Sequence, residues 1–400
     1  MTTEPAAPRV ARPPADFLSE KVRSLQPSGI RRFFDMLAEM KDVISLTIGE
    51  PDFTTPEPIT RAAIASLEAG ETHYTANGGM IELREAIIAD LEHRFGISYD
   101  ARTEMIITVG ASEAVDASLR AICDPGDEVI YHEPSFVAYA PCITLAGGIP
   151  VPIATGDETD FQMTAAQFEA AITPRTKALF LGYPNNPTGA VLDRGELEKI
   201  AAVIDRHDLM VVSDEIYERL VYGGHEHVPF SALPGMRDRT VLIGGFSKSY
   251  AMTGWRIGWV AAPAAVMTGI AKVHQYGIMC APTVAQFAAL EALRSGEPFV
   301  IEMHDEYDRR RQLMTRRFNE IGLHCFEPRG AFYCFPNITR TGMDDETFAR
   351  TLLHEERVAV VPGTAFGPSG AGHVRACYAT AYEEIIEAMD RIERFVARHA

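Results

Sequence analysis

Residues 244–256 read GGFSKSYAMTGWR and directly follow the β-branched, apolar run Thr240–Ile243. That run predicts a buried strand, and the two glycines predict a sharp turn after it. Lys248 is therefore expected near the carboxyl end of a strand, with Arg256 eight residues later. Ligands of open α/β sheets bind at that end, so Lys248 is a candidate covalent amine and Arg256 a candidate anion clamp.

Two simpler interpretations compete with this one. A single lysine after glycines is most often an ordinary loop residue, because short motifs have low specificity. A phosphate loop of nucleoside triphosphatases needs glycine directly before the lysine, and Ser247 occupies that position. The phosphate-loop interpretation is excluded, and other strand ends must decide between the remaining two.

Four further apolar runs predict strands, and each ends in polar or aromatic chemistry. The runs are Met105–Val109, Glu128–His132, Ala178–Leu181 and Leu209–Val212. After the first, Ala111 and Ser112 open a helical pattern, and a helix start of small residues favours phosphate, although packing explains many such turns.

The other three runs lead to an aromatic ring, an amide and an acid. Phe136 follows the second run and could stack on a flat cofactor, although core packing is the commoner fate of a phenylalanine. Asn186 lies in a loop whose prolines and glycines fix its path, and Asp214 follows the last run. With the amine and the phosphate turn, this is the set that pyridoxal phosphate requires.

On these motifs the chain resembles the class I/II aminotransferases of the fold-type-I pyridoxal-phosphate family, close to the bacterial and archaeal aspartate and aromatic amino-acid aminotransferases. The resemblance extends from SLTIGEPDF at residues 45–53 to GHVRACYA at residues 372–379. It implies an α/β fold with a large domain, in which helices flank a mostly parallel sheet, and a smaller α+β domain. It also implies pyridoxal 5′-phosphate as the cofactor, amino acids and 2-oxo acids as substrates, and a homodimer.

The resemblance assigns a role to each matching residue. It makes Lys248 the Schiff-base lysine, Asp214 the partner of the pyridinium nitrogen, and Tyr217 and Asn186 donors to the phenolic oxygen. The remaining assignments are Arg256, Ala111 and Ser112 at the phosphate, Phe136 over the ring, Tyr74 in the neighbouring subunit's site, and Arg375, Asn186 and the backbone of Gly49 at the substrate carboxylate.

Arg375 also carries an argument from its own strand pattern. In an extended strand the alternate residues Val374, Ala376 and Tyr378 share one face. Arg375 lies between two of them and is therefore directed to the opposite face. A guanidinium there needs an anion, either a protein carboxylate or, in the sharper interpretation, the carboxylate of a substrate.

Two positions depart from the family pattern. At Gly245 some relatives carry a serine that bonds the phosphate, and Ser247 is the expected substitute. Ser112 stands where some aspartate-preferring relatives have a lysine. Aspartate and aromatic amino acids therefore both stay open as donors, with 2-oxoglutarate as the second substrate.

Composition and patterning set the outer limits. The 400 residues carry 37 Lys and Arg against 55 Asp and Glu, a net charge of −18 that argues against nucleic-acid or anionic-membrane surfaces. No apolar stretch has the length of a membrane span, and no signal core follows the N-terminus, so a cytoplasmic protein is expected. The six cysteines lack paired spacing, and His225 and His227 lack further ligands, so neither a disulfide framework nor a metal site is predicted.

The chain is expected to divide into four parts: a mobile arm at 1–16, an N-terminal helical segment of the small domain at 17–47, a large cofactor domain at 48–285 and the rest of the small domain at 286–400. The helix of the second part should follow Ser28, with Phe33, Leu37 and Met40 on one stripe. The basic run 309–311 is expected to be a solvated face.

Two other classes of function stay open. A pyridoxal-phosphate lyase or synthase would share Lys248, Asp214 and Arg375, and net amino transfer measured against elimination products separates it from an aminotransferase. A non-catalytic regulator with an aminotransferase-like domain is disfavoured by the negative charge and by the absence of a preceding DNA-binding segment. Binding to duplex DNA at low salt would be its signature.

Overall fold

The structure, a computed structural model, describes residues 14–26, 40 and 42–399. In chain order its strands are β1 Ile44–Ser45, β2 Met105–Thr108, β3 Glu128–Glu133, β4 Ile149–Ala154, β5 Thr176–Leu181, β6 Met210–Asp214, β7 Thr240–Gly245, β8 Gly258–Ala261, β9 Tyr333–Cys334, β10 Val358–Ala359, β11 Val361–Pro362 and β12 Val374–Cys377.

Seven of these strands form the main sheet, in the order β2-β8-β7-β6-β5-β3-β4. Neighbouring strands from β7 to β4 run parallel, and β8 is antiparallel to both β2 and β7. All five apolar runs of the sequence are strands of this sheet. The prediction of an α/β fold with a mostly parallel central sheet is confirmed.

Helices cover both faces of the sheet. The α-helices are α1 Glu20–Ser24, α2 Glu57–Glu68, α3 Ile81–Phe95, α4 Gly110–Ile122, α5 Tyr139–Ala146, α6 Ala165–Ala171, α7 Arg194–His207, α8 Ala264–Gly277, α9 Thr283–Ser295, α10 Glu297–Ile321, α11 Asp345–Glu356 and α12 Tyr382–His399. Consecutive residues of β6 show the arrangement, since Val212 packs on the side of α4 and α8 while Val211 packs on the side of α7. Strands buried on both faces explain why these runs are apolar throughout.

The C-terminal helices α10, α11 and α12 enclose a separate core with two small sheets, β11-β12-β9 and β1-β10. The apolar stripe of α12 is buried in this core and consists of Ile385, Met389, Ile392 and Val396. β12 belongs to this core through Val374, Ala376 and Cys377, while its residue Arg375 lies beside the loops that follow the main sheet. The domain boundaries inferred from the sequence stay a prediction.

The glycine pair before Lys248 has a different role from the one predicted. Gly244 and Gly245 are the last residues of β7, with no turn at either one. A Cβ on Gly244 would lie 2.3 Å from the Trp259 ring, and one on Gly245 would lie 3.0 Å from Ile216. The chain does turn directly afterwards, at 246–250, but the prediction that the glycines make this turn was wrong, because their small size is used for close packing and not for backbone freedom.

The prediction for the basic run 309–311 was wrong for two of its three arginines. Arg310 and Arg311 are buried on α10, and only Arg309 is exposed. Arg310 pairs with Asp52 and Glu306, and Arg311 with Asp308 and Glu327. Buried guanidinium groups need such partners, so this run ties α10 to the segment of Asp52.

The N-terminal predictions fall mostly outside the described part of the chain. This applies to the helix expected after Ser28, with Phe33 and Leu37, and to residues 1–13 of the expected arm. Met40 is described and packs against the C-terminal core. Among the helices that the structure describes, no segment is apolar over a length sufficient to traverse a bilayer.

Candidate active site

The predicted site residues meet in one cleft of about 500 Å³ at the carboxyl ends of the parallel strands. Its lining includes eleven of the twelve residues singled out in the sequence: Gly49, Ala111, Ser112, Phe136, Asn186, Asp214, Tyr217, Ser247, Lys248, Arg256 and Arg375. A cleft outside the carboxyl ends of the strands is the usual ligand position in such sheets.

Lys248 presents its amine to the middle of the cleft. Its Nζ donates a 2.6 Å hydrogen bond to the carbonyl oxygen of Gly49 and lies 5.7 Å from the ring centres of Tyr217 and Phe332. Burial among these groups lowers the pKa of Lys248 to about 8, because an ammonium loses solvation there. An appreciable fraction of this amine is therefore neutral near physiological pH.

Asp214 lies at the end of β6 and is almost completely buried. Burial raises the pKa of its carboxyl group to about 6, against two hydrogen bonds that favour the charged form. Tyr139 donates its hydroxyl to Oδ2 at 3.0 Å, and the backbone N–H of Ile216 donates to Oδ1 at 3.3 Å. A cationic ligand group beside this carboxylate would stabilise its ionised form.

Arg375 closes one end of the cleft. One terminal nitrogen donates to Asn186 Oδ1 at 2.9 Å and the other to the Thr47 carbonyl at 2.6 Å. The guanidinium lies between the rings of Tyr333 and Phe366, at 4.5 and 4.8 Å from their centres. Within the described chain no carboxylate forms an ion pair with it, and its buried Nε has no hydrogen-bond partner. The described residues therefore do not supply the protein salt bridge that was the alternative for Arg375, and an anionic ligand would be the partner of its guanidinium.

Arg256 closes the other end, beside the first turn of α4. Its Nη1 donates to the Thr253 carbonyl at 3.1 Å, and a Cβ on Gly110 would lie 2.7 Å from its Nη2. Gly110 has a φ of +72°, so the turn needs glycine for its backbone as well as for space. Ala111 and Ser112, in the first turn of α4, and the buried Ser247 line the cleft together with Arg256. Together they make a positive end suited to an anion.

Two ring systems border the space between these ends. Tyr217 lines the cleft from the segment that follows β6, and its hydroxyl lies 2.8 Å from that of Tyr333. Phe136 is half-buried and meets the ring of Tyr139 edge-on at 5.7 Å. Phe136 is thus placed to cover a flat ligand lying over Asp214.

Tyr74 is the one predicted site residue that does not join this cleft. Its side chain is 82% exposed and borders a separate hollow with His73 and Arg84. The sequence assigned it to a neighbouring subunit's site, and that assignment stays a prediction.

Two functional contacts escaped the sequence argument. Tyr139, which donates to Asp214, follows Phe136 by three residues and resembles any core tyrosine in the sequence. A Cβ on Gly182 would lie 2.5 Å from its hydroxyl, so that glycine was the available signal. Tyr333, which contacts Tyr217 and Arg375, lies in the aromatic run 332–335, whose pattern indicates only core packing.

The comparisons with known proteins agree with this arrangement. The family described as "Aminotransferase class I and II" matches residues 41–392. The chain belongs to this family. It is 46% identical to an aspartate aminotransferase of Pyrococcus abyssi, over 94% of this chain and 97% of that protein. It is 45% identical to aromatic-amino-acid aminotransferase 2 of Thermococcus litoralis, again over 94% and 97%.

The fold of this aminotransferase agrees with solved structures of the family. An aromatic aminotransferase from Pyrococcus horikoshii superposes with a TM-score of 0.88 at 46% identity, covering 92% of this chain and 99% of that one. The resemblance found in the sequence motifs is thereby confirmed, and with it the fold type and the class of enzyme.

Proposed function

We propose that this aminotransferase uses pyridoxal 5′-phosphate, bound at Lys248, to move the amino group of an L-amino acid to a 2-oxo acid by a ping-pong mechanism. The observation that carries the proposal is the arrangement of the cleft. A buried amine with a lowered pKa and a buried carboxylate line the same space, and an arginine stands at each end. One arginine is needed for each of two anions, the cofactor phosphate and the substrate carboxylate.

The residues present fit that cofactor. Asp214 has its carboxylate in the cleft floor, where it would pair with a protonated ring nitrogen, and Tyr139 holds its orientation. When bound, pyridoxal phosphate supplies a ring that accepts the electron pair of the substrate Cα. The Asp214 carboxylate would then keep a positive charge on that ring. Because Asp214 is buried, in surroundings of low dielectric, its attraction to that charge is stronger than it would be in water.

The phosphate end is formed by Arg256, the first turn of α4 and Ser247. The close approach of Arg256 to Gly110 supports this role, since it brings a guanidinium to the N–H groups of the helix start. Ser247 takes the place of the hydroxyl that is missing at Gly245, because it is buried beside Lys248 and lines the cleft.

The carboxylate end is formed by Arg375, with Asn186 beside it. Asn186 Oδ1 accepts from Arg375, so its amide N–H group remains to donate to a ligand oxygen. Tyr217 adds a hydroxyl on the same side of the cleft. We assign Asn186 and Tyr217 to the phenolic oxygen of the cofactor and Arg375, with the Gly49 backbone, to the substrate.

Lys248 acts as the base. Its pKa of about 8 leaves part of the amine neutral near pH 7, and the Gly49 carbonyl holds it by a 2.6 Å hydrogen bond. A neutral amine at fixed short range can take the substrate Cα proton and deliver it to the cofactor carbon two bonds away, on the other side of the amino nitrogen.

Aspartate and aromatic amino acids are the proposed donors, with 2-oxoglutarate as the proposed acceptor. Support comes from the relatives, since one at 46% identity is named an aspartate and one at 45% an aromatic-amino-acid aminotransferase. We further propose a homodimer in which the exposed ring of Tyr74 enters the neighbouring cleft.

A donor panel with 2-oxoglutarate tests the activity. The purified protein should convert aspartate, an aromatic amino acid or both, and the absorbance of the bound cofactor should change on donor addition alone. Elimination products without net amino transfer would favour a lyase instead. Borohydride reduction followed by peptide mass analysis should place the cofactor on Lys248, and Lys248→Ala should be inactive.

A further inference from the structure

Tyr333 lies directly behind the cleft and contacts two of its functional groups. It is completely buried on β9. Its hydroxyl lies 2.8 Å from the hydroxyl of Tyr217, and the Arg375 guanidinium lies 4.5 Å from the centre of its ring. One side chain therefore contacts both the proposed donor to the cofactor and the proposed clamp of the substrate.

We propose that Tyr333 is a positioning residue with two separable roles. Its hydroxyl donates to Tyr217 and strengthens that residue as a donor to the cofactor, and its ring holds Arg375 in place for the substrate carboxylate. This inference rests on the proposed function, because it requires the cofactor and the substrate in the positions given above.

The direction of the hydroxyl contact follows from counting protons. A tyrosine hydroxyl carries one proton, and Tyr217 directs its own proton to the cofactor in the proposed arrangement. The proton of the Tyr217–Tyr333 hydrogen bond must then come from Tyr333. Tyr217 is the hydroxyl's one hydrogen-bond partner within the described residues. A donor that itself accepts a hydrogen bond is polarised and becomes a stronger donor.

The ring contact follows from the surroundings of Arg375. The guanidinium lies between Tyr333 and Phe366, and such stacking fixes its plane while the two hydrogen bonds fix its rotation. Position 49 adds a third constraint, since a Cβ there would lie 2.9 Å from the Tyr333 hydroxyl. Glycine at that position lets the carbonyl that binds Lys248 pass close to Tyr333.

Two substitutions separate the roles, and a third serves as a matched control. Tyr333→Phe keeps the ring and removes the hydroxyl, while Tyr333→Leu removes both. Tyr222→Phe removes another buried hydroxyl of the same core, which donates to the Ala331 carbonyl at 2.7 Å and does not line the cleft. Each variant is purified with its cofactor, and its absorbance is titrated against pH before any assay of turnover.

We expect Tyr333→Phe to raise the midpoint of the absorbance titration by roughly half to one pH unit. A weaker donor at Tyr217 stabilises the more negative form of the cofactor less, and one hydrogen bond has about this effect. The KM for the amino donor should stay within about twofold, because the ring still supports Arg375. Tyr333→Leu should add an increase in KM of roughly fivefold or more, the size of a lost cation–π contact.

Tyr222→Phe should change neither quantity, although it lowers the melting temperature in the same way as any buried hydroxyl deletion. A titration of Tyr333→Phe that coincides with that of Tyr222→Phe overturns the hydroxyl role. Equal KM values for the Phe and Leu variants overturn the ring role. A wild-type protein that takes up no cofactor contradicts the proposed function itself, which distinguishes that failure from these two.

Discussion

The hydroxyl of Tyr139 donates to Oδ2 of Asp214 at 3.0 Å, and both side chains are buried at the floor of the cleft. The tyrosine comes from α5 and the aspartate from the end of β6, so two separate elements are joined at the point where a cofactor nitrogen would lie. This hydrogen bond opposes the effect of burial, which raises the pKa of Asp214.

Tyr139→Phe should therefore lower kcat by about tenfold or more, because a hydrogen bond to a charged group contributes roughly 1.5–3 kcal/mol. Without it Asp214 is less able to keep the ring charged. The KM should change little, since Arg375 and its partners are untouched. Steady-state kinetics check this, with Tyr183→Phe as control, whose buried hydroxyl donates to the Phe161 carbonyl instead. An unchanged kcat would exclude a role for the Tyr139 hydroxyl.

Asp214 should leave a signature in the pH dependence of stability of the cofactor-free protein. Its folded pKa of about 6 is raised from 3.8, so the folded state holds the proton more tightly than the unfolded state. The stabilisation is complete below pH 3.8 and is lost as pH rises through 6. Because the folded pKa lies about two units above the unfolded pKa, this stabilisation amounts to at most ~3 kcal/mol.

Urea unfolding of the wild type and Asp214→Asn at several pH values measures this contribution. The difference between their free energies of unfolding should change by up to about 3 kcal/mol between pH 4 and pH 7, with the wild type losing stability relative to the variant. The subtraction is needed because other carboxylates, such as Glu104 beside Arg237, have lowered pKa values and act in the opposite direction. A constant difference would show that Asp214 ionises normally.

Much of this site could be predicted from sequence because its parts are local. A strand pattern followed by a polar residue needs only a few consecutive positions, and that was enough for Lys248, Asp214 and the start of α4. Tyr139 could not be found in this way. Its partner lies 75 residues further along the chain, and only the packing of α5 over the sheet brings the two together.

The two incorrect predictions have the same physical origin. Glycine serves both turns and close packing, and the nearby Trp259 that decides between them for Gly244 belongs to another strand. Arg310 was assigned to solvent because its pairing partner Asp52 lies 258 residues away. Long-range partners decide such cases, and periodicity within one helix carries no information about them.

Lys248 should react with pyridoxal phosphate at an unusually low pH for a lysine. Only the neutral amine is nucleophilic, and burial lowers its pKa to about 8 from 10.5. The rate of cofactor attachment to the cofactor-free protein should rise with pH, with a midpoint near pH 8, and level off about one pH unit higher. Stopped-flow absorbance measures this rate. Lys248→Arg should show no attachment, whereas Lys199→Arg, at an exposed lysine, should behave as wild type. A midpoint near 10.5 would refute the lowered pKa.

Gly110→Ala should weaken cofactor binding by displacing Arg256. The new Cβ would lie 2.7 Å from Arg256 Nη2, and the backbone φ of +72° adds strain of about 1 kcal/mol or more. Titration of the cofactor-free variant should give a Kd for pyridoxal phosphate raised about tenfold or more, the loss of roughly one charge-assisted hydrogen bond.

Gly126→Ala supplies the matched control for that substitution. Gly126 also has a positive φ, +98°, but a Cβ there meets no atom within 4 Å. It should lower the melting temperature through backbone strain and leave the Kd unchanged. If both variants bind the cofactor equally well, the packing of Arg256 against Gly110 does not set the affinity for the cofactor, and this prediction is wrong. If only Gly110→Ala binds weakly, the packing of the guanidinium against the helix start is what sets the affinity.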